Sequence, residues 1–129
     1  MDGFGKIEEL PDSLNMTFKN VWIFNGNPVE DGNERGGLGI WENLKPGHGN
    51  SFSSNGIKNY MSKKFGCELS FAKKIQNIYP NDKIAIIKYS RSGTSIDSLA
   101  ARQFGSWDPD FKGMNGINQY DHFLKTIKN

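Results

Sequence analysis

The residues best placed to do chemistry in this chain follow a short apolar run. Ile84 to Ile87 are all apolar, and hydroxyl side chains surrounding Gly93 come a few positions later. Such a run is typical of a parallel strand buried on both faces. Ligands of open α/β sheets bind beyond the carboxyl ends of these strands, where a glycine brings its N–H close to the ligand. The alternative interpretation is that Gly93 only closes a strand-to-helix turn.

Serines in this loop are not predicted to be activated nucleophiles. A serine hydroxyl is a weak nucleophile unless a histidine lies beside it, and the chain has two histidines, His48 and His122. His122 follows Asp121 on a predicted helix, where adjacent side chains diverge by about 100° and cannot form a triad. We therefore expect His122 to be a half-exposed helix residue.

A family resemblance is carried by two segments of the sequence. Residues 66–75 read Gly-Cys-Glu-Leu-Ser-Phe-Ala-Lys-Lys-Ile, and residues 92–96 read Ser-Gly-Thr-Ser-Ile. This pattern resembles the sialate O-acetylesterase and acetyl xylan esterase group of SGNH hydrolases, which shows Gly-Pro-Glu-x-x-Phe-Ala, a hydrophobic strand and then Gly-Gly-Thr-Ser. Cys67 stands where the family usually has proline, and Ser92 where it often has its first glycine. The likeness extends more loosely over residues 41–49.

The resemblance implies an α/β fold of the flavodoxin-like, three-layer α/β/α kind, with a small antiparallel hairpin. In the family the nucleophile lies in Gly-Gln-Ser-Asn-Met-x-Gly-x-Gly, and the base in Asp-x-x-His near the C-terminus. Residues 1–5 look like the second half of the nucleophile motif, and neither Gly-Gln-Ser-Asn nor Asp-x-x-His occurs in the 129 residues. We therefore expect residues 1–129 to be one partial domain that begins just after the nucleophile.

The same resemblance assigns roles near the loop. Gly93 matches the family position whose backbone N–H helps to form the oxyanion hole. Arg91, Thr94, His48 and Trp107 are predicted substrate contacts. Three of these have a plainer interpretation: a surface ion pair for Arg91, an exposed loop position for His48, and a cover for the core for Trp107.

The function implied is part of a serine ester hydrolase that removes O-acetyl groups from carbohydrate of the sialate or xylan type. These residues alone are expected to be inactive, and by resemblance the parent protein is exported. The alternative is a non-catalytic carbohydrate-binding or interaction module on an esterase scaffold. No cofactor is expected. No metal is expected either, because the Asp108-Pro-Asp110 segment lacks the other EF-hand ligands and no zinc spacing occurs.

Composition narrows the range of partners. The 16 basic and 14 acidic residues give a net charge of +2 and are interspersed, so nucleic acid is not an expected partner. No stretch is long enough to span a membrane. Hydrophobic residues make up 36% of the chain and there are 15 glycines, which predicts many loops and a thin core.

The elements that must position the loop follow from periodicity. A strand is predicted over 21–24, with a hairpin partner over 39–42, and a loop over 45–59. Helices are predicted over 68–79, 97–104 and 119–128, and a strand over 84–89. The predicted apolar face of the first helix consists of Phe71, Ala72, Ile75, Ile78 and Tyr79, and that of the last helix consists of Tyr120, Phe123, Leu124 and Ile127. Because the neighbour of the isoleucine-rich strand is expected outside this chain, we predict strand-swapped or edge-paired self-association.

Overall fold

A computed structural model describes residues 3–27, 37–113 and 116–129. The described residues form a mixed α/β structure with two α-helices and small sheets, which confirms the α/β class. The helices are α1 (Glu68–Ile78) and α2 (Gln119–Lys128). The strands are β1 (Gly5–Lys6), β2 (Phe18–Asn25), β3 (Glu42–Leu44), β4 (Ser53–Ser54), β5 (Asn59–Tyr60), β6 (Lys64–Phe65) and β7 (Ile84–Lys88).

The main sheet has the strand order β3-β2-β7. β3 pairs antiparallel with β2, and β7 pairs parallel with β2 over a continuous register from Val21 opposite Ile84 to Asn25 opposite Lys88. The predicted hairpin is confirmed in its antiparallel pairing, although its second strand begins at Glu42. Because β2 and β7 are parallel and in register, both end at the same edge of the sheet.

The core lies between this sheet and α1. Phe18, Val21 and Ile23 of β2 are buried with Leu44 of β3, and Leu69 and Ala72 of α1 pack against them. Full burial of one such large apolar side chain stabilises a fold by about 1.5–3 kcal/mol. The small side chain of Ala72 lets α1 lie close to the strands.

The sequence predicted a β7 buried on both faces, and this is wrong. Ile84 and Ile86 are half-buried toward α1, whereas Ala85 and Ile87 are exposed on the other face. The described residues place β7 at the edge of the sheet, with a helix packed fully against one face only. Because successive side chains of a strand point to opposite faces, the uncovered face leaves every second side chain of β7 in solvent.

Two further predictions, a helix over 97–104 and a loop over 45–59, also need correction. The helix predicted over 97–104 is only a 3₁₀ turn, Ser98–Ala100, in which the Asp97 carboxylate accepts a hydrogen bond from the Leu99 N–H. Leu99 is 95% exposed, so this segment has no buried apolar side that could support a longer helix. The loop predicted over 45–59 contains the short strand β4, which pairs antiparallel with β5.

Both long helices occur where predicted, but each buries residues that lie outside its predicted apolar face. In α2 the buried residues are Gln119, His122 and Thr126, whereas the predicted apolar face with Phe123 and Leu124 is half-buried. Polar contacts fix this orientation: the Tyr89 hydroxyl donates to Gln119 Oε1 at 2.6 Å. The expectation of a half-exposed His122 is therefore wrong.

In α1 the buried residues are Glu68, Leu69 and Ala72, while Phe71 of the predicted apolar face is 53% exposed. Neither helix, nor any other within the described ranges, has the length and apolar character needed to cross a membrane.

Candidate functional site

The candidate site lies where the two parallel strands end. Asn25 is opposite Lys88 in the last register position, and the Gly26 N–H donates to the Lys88 carbonyl at 2.9 Å, which extends the ladder by one residue. Asn27 and Ser90 then follow side by side. Polar residues from two neighbouring strands therefore meet at one edge of the sheet, which is the usual ligand position in this class of fold.

An asparagine side chain fixes the chain after β7. Asn27 Oδ1 accepts a hydrogen bond from the Ser90 N–H at 2.7 Å, and Asn27 Nδ2 donates to Ser90 Oγ at 3.2 Å. Both residues are buried. The Ser90 hydroxyl is thus bound by an amide rather than by a histidine base.

A buried ion pair lies beside this link. Lys88 Nζ donates to Glu68 Oε2 at 2.9 Å and to the His48 carbonyl at 2.7 Å, and Glu68 Oε1 accepts from the Gly66 N–H at 2.8 Å. Burial opposes ionisation of Glu68, but the Lys88 charge and these hydrogen bonds outweigh it, so the pKa of Glu68 lies below its ordinary value. The pair ties α1 to the end of β7.

His48 does not lie in an exposed loop, contrary to expectation. Its side chain is fully buried, its ring centroid lies 4.9 Å from that of Phe52, and neither ring nitrogen has a hydrogen bond within the described residues. Burial lowers the pKa of His48 to about 4, although Glu42, whose Oε1 lies 3.8 Å from Nε2, acts in the opposite direction. The imidazole is therefore neutral near pH 7 and is not at the surface to contact a substrate.

The part of His48 that faces the site is its backbone. Its carbonyl accepts from Lys88 Nζ and from Asn25 Nδ2, the latter at 3.2 Å. The loop that contains His48 is thereby fixed to the ends of both parallel strands. Its contribution to the site is to position other groups.

Gly93 lies just beyond the carboxyl end of β7, as predicted. It is exposed and has φ +75°, in a turn formed with Ser92. A Cβ atom at this position would lie 2.5 Å from the Phe104 ring, so the turn and its packing both favour glycine. The chain that follows Gly93 is held in place because Ser95 forms a parallel β-bridge with Ser106.

Three of the predicted substrate contacts belong to one loop cluster. The Trp107 Nε1–H donates to Thr94 Oγ1 at 2.9 Å, and Thr94 Oγ1 donates to the Arg91 carbonyl at 3.0 Å. The Trp107 ring contacts Tyr89 and Phe123 edge-on, with centroids 5.8 and 6.3 Å away. Trp107 thus covers the core as well as supporting the turn, and the Thr94 hydroxyl already binds within the protein.

The structure adds residues that sequence reasoning did not single out as site residues. Lys88, Asn25 and Asn27 lie at or just beyond the carboxyl ends of the two parallel strands, and Glu68 supports them through its ion pair with Lys88. A lysine that ends an apolar strand, and an asparagine pair that follows another strand, were the available signals.

Metal binding has no support in the described ranges, where no three His, Cys, Asp or Glu side chains cluster as ligands. Cys67 is exposed. Chemically, the arrangement offers a hydrogen-bonded turn with a backbone N–H beyond the carboxyl ends of the two parallel strands. Comparisons of the chain with protein-family models, curated proteins and solved structures returned no match.

Proposed function

We propose that these residues form part of a serine ester hydrolase domain, of the SGNH type that the sequence resembles, which removes O-acetyl groups from carbohydrate. In this proposal Gly93 supplies one backbone N–H to the oxyanion hole. The loop of Arg91 and Thr94 forms part of the rim around an O-acetylated carbohydrate substrate. The serine nucleophile and its base come from polypeptide other than these residues.

The observation that carries the proposal is the conformation and place of Gly93. It is exposed, has a positive φ, and lies directly beyond the carboxyl end of a parallel strand. Attack on an acetyl ester places negative charge on the carbonyl oxygen, and one preorganised donor lowers the barrier by about 3 kcal/mol. A turn residue outside the strand ladder can direct its N–H to that oxygen.

The packing around the turn supports a preorganised donor. The Trp107 indole N–H donates to the Thr94 hydroxyl, which donates to the Arg91 carbonyl. The Trp107 backbone N–H donates to the Ser95 carbonyl at 2.8 Å. An oxyanion donor is effective when it needs no rearrangement during the reaction. These contacts fix both sides of Gly93 before any substrate arrives.

The test compares this chain with a longer protein, extended at both ends by whatever residues a continuous reading frame in the genomic DNA adds. Hydrolysis is measured with p-nitrophenyl acetate, acetylated xylan and O-acetylated sialic acid. We expect no turnover by the 129-residue chain and turnover by the longer protein, because loss of the nucleophile of a serine hydrolase lowers kcat by roughly a million-fold. The proposal would be contradicted if the short chain hydrolysed these esters and if Ser92→Ala or Ser95→Ala abolished that hydrolysis.

A second candidate function has one observation in its favour. Trp41 is 45% exposed and packs against Phe24 at a centroid distance of 5.6 Å, so one face of the indole is supported while part of it remains in solvent. Such a ring can stack on a sugar in a non-catalytic carbohydrate-binding module. This function would be favoured by two results together. The short chain would bind xylan and lose that binding in Trp41→Ala, and the longer protein would show no ester hydrolysis.

A further inference from the structure

An asparagine–glycine pair forms the tip of the hairpin that joins β4 and β5. Asn55 and Gly56 are both exposed, and a Cβ atom added to Gly56 would have only Leu38 as a neighbour, at 3.8 Å. In such a pair the glycine backbone nitrogen can attack the side-chain carbonyl carbon of the asparagine. The two atoms belong to one chain and close a five-membered ring, and glycine has no side chain to block their approach.

The turn folds the Asn55 side chain back over Gly56. Asn55 Oδ1 accepts hydrogen bonds from the Ile57 N–H at 3.0 Å and from the Lys58 N–H at 2.8 Å. In this Asx turn the side-chain carbonyl bends over the residue between its two ends, which brings its carbon toward the Gly56 nitrogen. Attack places negative charge on Oδ1, and two N–H groups are already directed at that atom. The turn therefore favours both the geometry and the charge of ring closure.

The attacking nitrogen is accessible at the surface of the hairpin. The Gly56 N–H donates to Ser54 Oγ at 3.2 Å and lies outside the β4–β5 ladder, which ends at Ser54 opposite Asn59. A base in solution can therefore remove the Gly56 proton without breaking a hydrogen bond between strands.

A second asparagine–glycine pair of the chain lies in the opposite environment. Asn25 is fully buried, and its side chain donates to the His48 carbonyl at 3.2 Å and accepts from the Asn27 N–H at 3.1 Å. The Gly26 N–H donates to the Lys88 carbonyl at 2.9 Å. Attack at this pair requires the end of the sheet to open first, so its rate is limited by the small population of the open state.

We propose that Asn55 is a site of spontaneous deamidation in the folded protein. The Gly56 nitrogen loses its proton to hydroxide and forms a bond to Asn55 Cγ. The bond from Cγ to the side-chain nitrogen then breaks, and this nitrogen takes a proton from water and leaves as ammonia. One water molecule opens the resulting succinimide at either of its two carbonyls, which gives aspartate or isoaspartate. Water is the only co-reactant, and nothing is oxidised or reduced.

The modification changes both the charge and the backbone of the hairpin. Either product carries a carboxylate, so the formal net charge of +2 falls by one. In the isoaspartate product the backbone runs through the former side chain and is longer by one methylene group. The carbonyl that bound the Ile57 and Lys58 N–H groups is then part of the backbone, and the Asx turn is lost.

The first experiment incubates the full chain in mildly alkaline buffer and follows each asparagine by peptide mapping with mass spectrometry. An isoaspartate-specific methyltransferase labels the rearranged product. We expect both aspartate and isoaspartate at Asn55, formed at least about tenfold faster than at Asn25. Mapping also separates these sites from the third asparagine–glycine pair of the sequence, at 115–116, which lies partly outside the described residues. Equal rates at Asn55 and Asn25 would overturn the proposal.

The same chain unfolded in urea is the reference, because both pairs are then exposed and have the same sequence. We expect the two sites to react at similar rates in urea. Folding should slow the reaction at Asn25 and leave Asn55 at least as reactive as in the unfolded chain. The proposal would be overturned if Asn55 reacted in urea but stayed intact in the folded chain.

Asn55→Gln tests both the site and the ring-closure step. The longer side chain must close a larger ring, so isoaspartate labelling of the hairpin should disappear while the rate at Asn25 stays unchanged. Hairpin labelling that persists in Asn55→Gln would place the modification elsewhere. Aspartate formed at Asn55 without isoaspartate would indicate direct hydrolysis of the amide and contradict ring closure. None of these measurements uses ester hydrolysis, so their outcome is independent of the proposed function.

Discussion

The Lys88–Glu68 pair is the most consequential contact at the scale of single residues. Both side chains are largely removed from water, with exposures of 9% and 3%, and Lys88 also binds the His48 carbonyl. Breaking a buried pair by removing one partner leaves an uncompensated charge, whereas removing both is far less harmful. The pair joins α1, β7 and the His48 loop at the candidate site.

We expect Lys88→Met to lower the free energy of unfolding by about 3–5 kcal/mol, because Glu68 would remain buried without its counter-charge. The double variant Lys88→Met/Glu68→Leu should regain a substantial part of that loss. Urea denaturation of the single and double variants measures both effects. If the double variant is no more stable than Lys88→Met, the pair is not coupled as described.

His48 should make stability depend on pH. Its pKa is about 4 in the folded protein and 6.5 in the unfolded reference, so the unfolded chain binds more protons between these values. The stabilisation is complete above about pH 6.5 and falls as the pH is lowered toward 4, by about 3 kcal/mol in all. Urea midpoints measured near pH 7, 6 and 5 should decrease, and His48→Gln should flatten this trend. An unchanged trend in His48→Gln would assign the dependence to other groups.

At the scale of elements, the sequence predicted where the helices lie better than which faces they bury. The bounds of α2 are as predicted, because Asn118 caps it and its periodicity is regular. Its buried face is polar, however, since Gln119 binds both the Tyr89 hydroxyl and the Phe104 carbonyl. Hydrophobic periodicity does not contain such long-range polar contacts, and it likewise could not place β7 at an edge.

The turn after β7 provides a prediction at this scale. Gly93→Ala should lower the free energy of unfolding by more than Gly56→Ala. Both glycines have positive φ, +75° and +80°, which costs an L-residue about 1–2 kcal/mol. Only at Gly93 would the new Cβ also meet Phe104 at 2.5 Å, whereas at Gly56 its nearest neighbour is Leu38 at 3.8 Å. Equal losses in thermal or urea unfolding would show that Phe104 does not restrict the turn.

At the scale of the whole molecule, the described structure is a thin sheet with unevenly covered faces. Trp22 and Ile87 are each 42% exposed on the face opposite α1, and Phe71 of α1 is 53% exposed. Of the candidate site, the position of Gly93 could be predicted from the sequence. A strand followed by a loop of glycine and hydroxyl residues is a pattern of neighbouring residues. The Asn27–Ser90 link and the burial of His48 could not be predicted, since both depend on residues distant in sequence.

We propose that the Gly93 N–H acts as an oxyanion donor in acetyl-ester hydrolysis. The most direct measurement replaces that amide with an ester in the longer polypeptide, which removes the N–H without adding a side chain. A matched ester at Gly113, in an exposed loop, serves as the control. We predict that kcat for acetylated xylan falls about 10²–10³-fold for the Gly93 ester, with little change in KM, and that the Gly113 ester has no effect. An unchanged kcat at Gly93, or a longer polypeptide without acetyl-ester hydrolysis, would contradict the account.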